Sequence, residues 1–453
     1  MSAIQQILQH LDTAESEPVD HKLFEQAKLK LKDASLYEST EILRTFGSKV
    51  IQVVSSNNTS AEWKNHAIDL FNEIINHYHF DTIVQEFSLE MLISGLQGHN
   101  DNLKILIIDI VARATPPDLV ANTPFISIML NLLADPTTTV GTVSAIERSL
   151  VVLAKGELVQ RRLLSKECLD LLRKIRADPQ VFSRCFDLCS ELLPVVKDLP
   201  DDLYLMPESE FSQSNDVLLN AYVVSFYNKL LDTIRFDRLD LLDKLDEQIG
   251  YICRLYVDDT FVPEIKTLFS LEPVVFLANL SRLNASKFAE FDRQYKIIDH
   301  AITHSDEPSV FLLSNMDPRL LASKTQFLET LPLTATTVQI FENLVSKQEI
   351  FSKLDIPPSK ILNLSTSSFL ELVRALSLYD HTVGQLIRWP SVMNRLLDEY
   401  KNINNPEIWK LKMAILEQLY NRNVDVWKEK IEQELARMKG HTEAQVDIMD
   451  MAA

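Results

Sequence analysis

The chain has 453 residues, of which 46% are hydrophobic and 24% are charged. This composition is typical of folded proteins with a large core, and it excludes disorder over most of the chain. Only 8 residues are glycine, so little of the chain can form β-hairpin turns or phosphate-binding loops. The net charge of −19 disfavours direct binding to nucleic acid and to anionic membrane surfaces.

Helical periodicity runs through the chain from end to end. Apolar residues recur three and four positions apart, as at Leu103, Leu106, Ile107 and Ile110, and the hairpin dipeptides Asn-Gly, Asp-Gly and Gly-Gly do not occur. The sequence therefore predicts an all-α chain with almost no β-sheet. In chain order, the predicted helices span residues 21–33, 39–56, 61–78, 88–97, 102–114, 125–134, 139–154, 157–164, 167–176, 180–193, 215–235, 237–256, 262–283, 286–304, 318–331, 336–346, 366–379, 381–388, 390–401, 406–421 and 424–438.

Prolines that follow a short polar residue predict where several helices begin, because proline at the first helical position loses no hydrogen bond. Pro136 and Pro179 are 43 residues apart, and Pro318 and Pro406 are 88 apart, which is twice 44. These intervals agree with the period of about 40 to 47 residues in HEAT and armadillo repeats. We therefore predict a HEAT/armadillo-like α-solenoid built from stacked helix pairs.

One irregular stretch, residues 194–215, is rich in Asp, Ser and Pro and divides the chain into similar halves. The sequence predicts an N-terminal half over 1–193, an acidic surface loop over 194–215, a C-terminal half of the same solenoid over 216–440 and a flexible tail over 441–453. Because neighbouring repeats stabilise one another, a proteolytic nick in the loop is expected to leave the two halves associated.

Features of the sequence also predict the compartment. Four cysteines in the whole chain are too few for a disulfide framework, which fits a reducing environment. The first 20 residues carry no basic start followed by an apolar stretch. No apolar run approaches the about 18 residues needed to span a bilayer. We expect a protein of the cytoplasm or the nucleus that does not cross a membrane.

Motifs that carry catalytic chemistry are missing from the sequence. There is no Walker loop, no dinucleotide-binding glycine pattern and no G-x-S-x-G nucleophile elbow, so we predict a protein that is not an enzyme and has no cofactor. His300 and His304 have the i, i+4 spacing of metal ligands, as do Cys185 and Cys189. Neither pair completes a ligand set, so we predict an exposed helix end, two buried thiols and no metal.

A ladder of polar residues is the predicted partner-binding surface. In a solenoid, the second helix of each pair lines an extended concave face that commonly binds other proteins. The polar residues expected on that face, opposite the apolar stripe of successive helices, are Asp109, Arg113, Glu147, Arg148, Arg184, Asp187, Asn220 and Tyr227. We expect that reversing the charge of Arg184 or Asp187 weakens partner binding without disturbing the fold.

Four stretches of the chain resemble a known family, in that family's order and at close to its spacing. The family is that of the fungal proteasome base-assembly chaperones that also carry a mismatch-repair name, the counterparts of the animal proteasome non-ATPase regulatory subunit five. The resemblance extends from about residue 60 to residue 438. The stretches are 80–114 (FDTIVQEFSLEMLISGLQGHNDNLKILIIDIVARA), 144–164 (SAIERSLVVLAKGELVQRRLL), 225–235 (SFYNKLLDTIR) and 389–420 (WPSVMNRLLDEYKNINNPEIWKLKMAILEQLY).

This resemblance implies a C-shaped solenoid of about eleven helix-pair repeats. It also implies a function: holding the C-terminal domain of a proteasomal AAA ATPase subunit on the concave face during assembly of the regulatory particle base. A second ATPase subunit and the large non-ATPase scaffold subunit would belong to the same module. Mismatch repair would then be an indirect phenotype, which the net charge of −19 supports. The family has no motif that assigns contact residues to positions in this chain.

Two alternatives remain beside the assembly chaperone. One is a generic solenoid scaffold or transport adaptor with another cargo. The other is a DNA-repair factor that touches DNA. Co-purification of free ATPase subunits without the proteolytic core would favour the chaperone over the scaffold, and salt-dependent DNA binding would favour the repair factor.

Overall fold

The computed structural model describes residues 3–37, 39–211, 217–398, 405–422, 424 and 426–450, with the side chains of 3, 211, 235–237, 265–266, 398 and 441–450 left out of the description. Over these residues the secondary structure is helical and contains no strand. The chain forms two compact units, residues 1–206 and residues 207–453.

The first unit consists of helices that pair and stack in two layers. One layer contains α2, α4, α7, α9 and α12, each packed on the next, and α1, α3, α6, α8 and α11 pack against them as pair partners. Short 3₁₀ helices cover Ala34–Tyr37, Pro117–Val120 and Asp201–Leu203. The α-helices are α1 (Ala3–Asp12), α2 (His21–Lys30), α3 (Glu41–Ser55), α4 (Ala61–Ile75), α5 (Phe80–Glu86), α6 (Leu89–Leu96), α7 (Asp101–Ala112), α8 (Phe125–Ala134), α9 (Val140–Leu153), α10 (Glu157–Leu163), α11 (Lys166–Ala177) and α12 (Phe182–Leu192).

The second unit repeats this arrangement with its own row, in which α14, α17, α20, α22, α25, α28 and α29 each pack on the next. Leu239–Lys244 and Pro318–Leu321 are 3₁₀ helices. The α-helices are α13 (Glu208–Phe211), α14 (Val217–Asp237), α15 (Asp246–Val257), α16 (Pro263–Leu268), α17 (Leu271–Leu283), α18 (Ala285–Tyr295), α19 (Ile297–His304), α20 (Glu307–Asn315), α21 (Thr325–Thr330), α22 (Val338–Leu344), α23 (Gln348–Phe351), α24 (Pro358–Leu362), α25 (Thr366–Ser377), α26 (Asp380–Leu386), α27 (Pro390–Asp398), α28 (Pro406–Asn421) and α29 (Lys428–Asp450). The predicted all-α solenoid class is confirmed.

Short polar residues start several of these helices, as the sequence predicts. The side chains of Ser60, Asn100 and Asn405 accept hydrogen bonds from the first-turn amides of α4, α7 and α28. The Asp-Pro pairs at 135 and 178 act differently, because each aspartate ends the preceding helix. Its carboxylate accepts the amide two residues on, 2.9 Å away in both cases, which forms an Asx turn. The 43-residue spacing therefore marks equivalent turns rather than helix starts.

The first part of the predicted acidic loop is packed instead of lying on the surface. Leu199, Leu203, Tyr204 and Met206 are buried, and the 3₁₀ helix among them contacts α11 and α12. The guanidinium of Arg176 donates to the carbonyl of Leu205 at 3.1 Å. Apolar residues placed between the acidic ones allow this segment to cover the end of a helix pair. Residues 212–216 lie outside the described residues.

The C-terminal helix α29 continues to Asp450, so helical backbone extends into the predicted tail. The last three residues lie outside the described residues. Among the helices that the structure describes, none is both long and apolar enough to cross a lipid bilayer.

Candidate functional site

Six of the eight predicted partner-binding residues lie on or directly after three neighbouring helices of the first unit. Helix α7 packs on α9, and α9 packs on α12, so the residues that we call the polar ladder are brought to consecutive helices. None of the six is fully buried. They are Asp109 on α7 and Arg113 directly after it, Glu147 and Arg148 on α9, and Arg184 and Asp187 on α12.

Several charged groups of the polar ladder interact with one another or with the backbone rather than only with solvent. Asp109 is half-buried, and this burial raises the pKa of its carboxyl group although Arg148 and Arg113 nearby act to lower it. Arg113 reaches the end of the preceding helix α4, where its guanidinium donates to the carbonyl of Ile75 at 3.4 Å and to the side chain of Asn76. Arg148 is the exposed basic residue of this group.

Arg184 has a structural role that the sequence prediction did not anticipate. Its guanidinium donates three hydrogen bonds to backbone carbonyls at the end of α8 and in the turn after it: Leu133 at 3.0 Å, Asp135 at 2.8 Å and Thr138 at 3.3 Å. The last carbonyls of a helix have no partner within the helix. An arginine on the next pair is long enough to satisfy them, so reversing its charge would disturb the fold.

Asn220 and Tyr227 are not on a surface, contrary to the prediction. Both are buried on α14, with relative exposures of 0% and 1%, and the Asn220 side chain accepts a hydrogen bond from the hydroxyl of Tyr251. Helix α14 is contacted by α16, α17 and the 3₁₀ helix that follows it. When other helices pack against more than one side of a helix, polar residues on its outer face are also buried, and they then need hydrogen-bond partners.

A polar groove of about 610 Å³ opens in the second unit. It is lined by the last turn of α17, the end of α20, the 3₁₀ helix after it, α22 with the turn that follows it, and the residue before α26. We call it the polar groove. Its principal side chains are Arg282, Asp317, Arg319, Glu342, Asn343 and Lys347.

Hydrogen bonds hold the floor and walls of this groove. Asn343 donates to the carbonyls of Leu313 at 3.0 Å and Met316 at 2.9 Å, which closes the end of α20. Asp317 is buried and accepts from both the side chain and the backbone amide of Arg319, with a shortest distance of 2.6 Å. Burial alone would raise the pKa of Asp317, but the hydrogen bonds from Arg319 outweigh it and hold the pKa below the ordinary value.

The acidic groups of the groove are thus paired, while two of its cations are not. Glu342 lies 3.7 Å from Arg374, and burial raises the pKa of its carboxyl group. Arg282 and Lys347 form no hydrogen bond or ion pair through their side chains with any residue that the structure describes. The groove therefore offers two cationic groups to a carboxylate. The sequence analysis missed it because its residues come from several elements and follow no period.

The paired histidines and cysteines lie where the sequence predicts. His300 and His304 are in the last turns of α19 with their rings stacked 3.9 Å apart, and the Nδ1 atom of His304 lies 3.0 Å from the carbonyl oxygen of His300. Cys185 and Cys189 are buried, and the pKa of the Cys189 thiol is raised by its hydrogen bond with Cys185 and by burial. All four cysteines are buried and free.

Comparison with known families matches both halves of the chain. Residues 5–232 match the model described as DNA mismatch repair protein HSM3, N terminal domain, and residues 240–453 match the corresponding C terminal domain. The boundary between the two matches therefore lies C-terminal to the boundary between the compact units, which is at 206/207. Helix α14 falls almost wholly in the N-terminal match but belongs to the second unit.

Curated relatives are similar over most of their length. Proteins named DNA mismatch repair protein HSM3 are 25% identical in Debaryomyces hansenii, covering 84% of this chain and 82% of the relative, and 24% identical in Kluyveromyces lactis, covering 83% and 82%. The Candida albicans protein of that name is 23% identical and covers 92% of this chain and 90% of its own. The chain therefore belongs to the HSM3 family.

Proposed function

We propose that this chain is a non-enzymatic assembly chaperone of the proteasome regulatory particle base. In this proposal it binds the C-terminal domain of a proteasomal AAA ATPase subunit and releases it once assembly has proceeded. The observation that carries the proposal is family membership over both halves of the chain. The resemblance of four separate stretches to base-assembly chaperones supports the same proposal. We expect the protein to act in the cytoplasm and the nucleus.

The fold suits this function because stacked helix pairs give long rows of solvent-facing side chains for protein binding. Two of the four resembling stretches include ladder helices: 80–114 contains α7, and 144–164 contains most of α9. Within the second unit, the polar groove carries Arg282 and Lys347, whose side chains form no hydrogen bond or ion pair within the described part of the chain. Charge complementarity steers such a surface towards an acidic segment of a partner and raises the association rate.

The test uses the full-length protein and a purified proteasomal ATPase C-terminal domain. Reversing both groove cations, Arg282→Glu with Lys347→Glu, is expected to weaken binding by at least about tenfold, since each lost charge pair at an interface changes affinity measurably. The matched control is Arg388→Glu with Lys410→Glu, which reverses two exposed basic residues of the same unit outside the groove. Binding is measured by isothermal titration calorimetry.

The outcomes separate the function from the place of binding. If the wild-type protein does not bind any of the proteasomal ATPase C-terminal domains, the proposed function is wrong. If it binds and the groove variant binds equally well, the groove is not the contact surface and the function stands. At native expression, we expect free ATPase subunits and the large scaffold subunit to co-purify without the proteolytic core.

A direct role in DNA repair is the second candidate, and it is favoured by the printed name of the relatives. A protein that contacts phosphates shows an affinity that falls steeply with salt. The net charge of −19 opposes such binding. Salt-dependent binding of duplex or mismatched DNA in a fluorescence anisotropy titration would support this candidate, and the generic scaffold would be favoured if another cargo co-purified.

A further inference from the structure

Three potential metal ligands meet at the start of the first unit. His21 is the first residue of α2, while Glu62 and His66 lie one turn apart near the start of α4. The Nε2 atom of His21 is 3.3 Å from a carboxylate oxygen of Glu62. One donor atom from each of the three residues lies within 4.8 Å of the other two. No other group of this kind occurs among the residues whose placement the structure describes.

Local structure holds the three residues in place. Asp20 caps α2 and Ser60 caps α4, which fixes the first turn of each helix. These two helices pack on each other. Glu62 and His66 share one face of α4 because residues four apart are neighbours on a helix. The cluster therefore stands on two rigid helices rather than on a loop.

His66 shows a second feature that points to a ligand. Its ring packs 5.1 Å from that of Phe24 and 5.0 Å from that of His21. Its Nδ1 atom is buried and has no hydrogen-bond partner among the described residues. A buried polar atom without a partner is costly, and a ring that no hydrogen bond holds in one tautomer can present a nitrogen lone pair to a cation.

We propose that His21, Glu62 and His66 bind a zinc ion. Two imidazoles and one carboxylate form a donor set found at zinc sites with an open fourth position. Zinc bonds of about 2.0 to 2.2 Å place tetrahedral donor atoms about 3.3 Å apart, which is the present distance between His21 and Glu62. The donor atom of His66 lies within 4.8 Å of the other two, so it has to move closer by at most about 1.5 Å to complete the geometry.

The surroundings leave room for the ion and for water. The side chains of His21 and Glu62 are 64% and 59% exposed, so the fourth ligand is a water molecule from solvent. The bound ion would link α2 to α4 and stabilise the first helix pairs of the unit. The sequence analysis predicted no metal because it considered ligands close in sequence, whereas His21 is contributed by the preceding helix pair. The proposal is independent of the proposed function.

The test is a zinc titration of the full-length protein after treatment with a chelator. We expect one equivalent of Zn²⁺ to bind, with low-micromolar or tighter affinity in calorimetry, and to raise the melting temperature by mass action. His21→Ala removes an exposed ligand at the end of a helix and should weaken binding by more than about tenfold. Glu62→Gln, which keeps the shape of the side chain, should do the same.

The matched control is His300→Ala with His304→Ala, which removes another close histidine pair and should leave zinc affinity unchanged. Substituting cobalt should give the visible absorption of a four-coordinate site in the wild type and not in His21→Ala. The proposal is overturned if no stoichiometric zinc binds, if His21→Ala and Glu62→Gln both bind as the wild type does, or if the control variant alone loses binding.

Discussion

The polar ladder of the first unit and the polar groove of the second unit are both rich in charge, but they use their basic residues differently. In the ladder, Arg113 and Arg184 donate to the ends of helices in the preceding pairs. In the groove, Arg282 and Lys347 have no such partner among the described residues. These two ladder arginines therefore close neighbouring helices, whereas the two groove cations stay available to a ligand.

Whether a basic side chain can contact the end of a neighbouring helix decides between these two roles. Arg395 and Arg422 of the second unit behave like the ladder arginines: Arg395 donates to the carbonyls of Leu362 and Leu364 at 2.7 and 3.1 Å, and Arg422 donates to the carbonyl of Leu378. Each lies on a helix whose neighbour ends nearby with carbonyls that lack partners. Exposed polarity alone does not identify a docking residue, and the following variants test this difference.

The largest effect is expected from a basic residue that is wholly enclosed. Lys412 has no solvent exposure and pairs with Glu434 at 2.6 Å. Lys412→Met leaves the buried carboxylate of Glu434 with Arg437, whose side chain is 39% exposed, as its other ion-pair partner. We therefore expect the free energy of unfolding to fall by about 3 kcal/mol, the low end of the range for breaking a buried ion pair. The measurement is urea denaturation, with Lys410→Met, an exposed neighbour, expected within about 0.5 kcal/mol of wild type.

A double-mutant cycle sharpens this first prediction. Replacing Glu434 as well, with Leu, should recover part of the loss, because the buried carboxylate is then absent. Additive losses in the double variant would show that the two side chains are not coupled. Arg437, which also donates to Glu434 at 2.7 Å, would be left without this partner and limits the recovery.

The next largest effect on stability is expected from Arg184, the ladder arginine that donates to the last carbonyls of α8 and the turn after it. Arg184→Ala removes hydrogen bonds from a charged donor to three carbonyls, and we expect a loss of about 2 kcal/mol in unfolding free energy. Arg148→Ala, on the same ladder but exposed, should change stability by less than about 0.5 kcal/mol. Equal effects of the two substitutions would contradict the assignment of Arg184 to the fold.

The groove cations should contribute little to stability. Arg282→Ala with Lys347→Ala is expected to change the unfolding free energy by less than about 0.5 kcal/mol in urea, because neither side chain forms a hydrogen bond with a residue whose placement is described. A loss as large as that of Arg184→Ala would remove the distinction between ladder and groove. If this alanine variant is added to the binding assay beside the charge-reversal variant, its effect there reports on recognition alone.

The smallest effect is a change in pH dependence within the groove. The folded state holds the pKa of Asp317 below its ordinary value of 3.8, since the hydrogen bonds from Arg319 outweigh burial. A depressed carboxyl pKa contributes stability at pH values above the ordinary value, and this contribution disappears as the pH falls through the folded value. Asp317→Asn should therefore make the decline of stability in acid shallower. Parallel curves of unfolding free energy against pH would refute this.

Several long helices were predictable from the sequence, but the ten-residue α1 and the nine-residue α20 were missed. Helix α9, Val140–Leu153, was predicted as 139–154, because fourteen residues display the helical period clearly. The short helices α23 and α24 were missed, since each is less than two turns long and shows no period. The predicted helix 262–283 is two helices, α16 and α17, with a break between Leu268 and Leu271.

The candidate site was less predictable because contacts between distant segments create it. Position on a polar stripe gave no sign that Asn220 would be covered by Tyr251 or that Arg184 would reach the end of α8. The groove cations Arg282 and Lys347 are brought together by stacking of α17, α20 and α22. Contacts in which a side chain of one helix pair satisfies the end of another depend on the folded structure, so a local sequence pattern cannot predict them.

The placement of α14 has a practical consequence for making fragments of this protein. Cutting between the two family matches, after residue 232, would leave most of α14 on the N-terminal fragment without α17, against which it packs. Buried side chains such as Phe226, Leu230 and Leu231 would then face solvent, and such surfaces promote aggregation. We expect a fragment ending at Met206, which keeps the packed segment after α12, to be the more soluble one on expression.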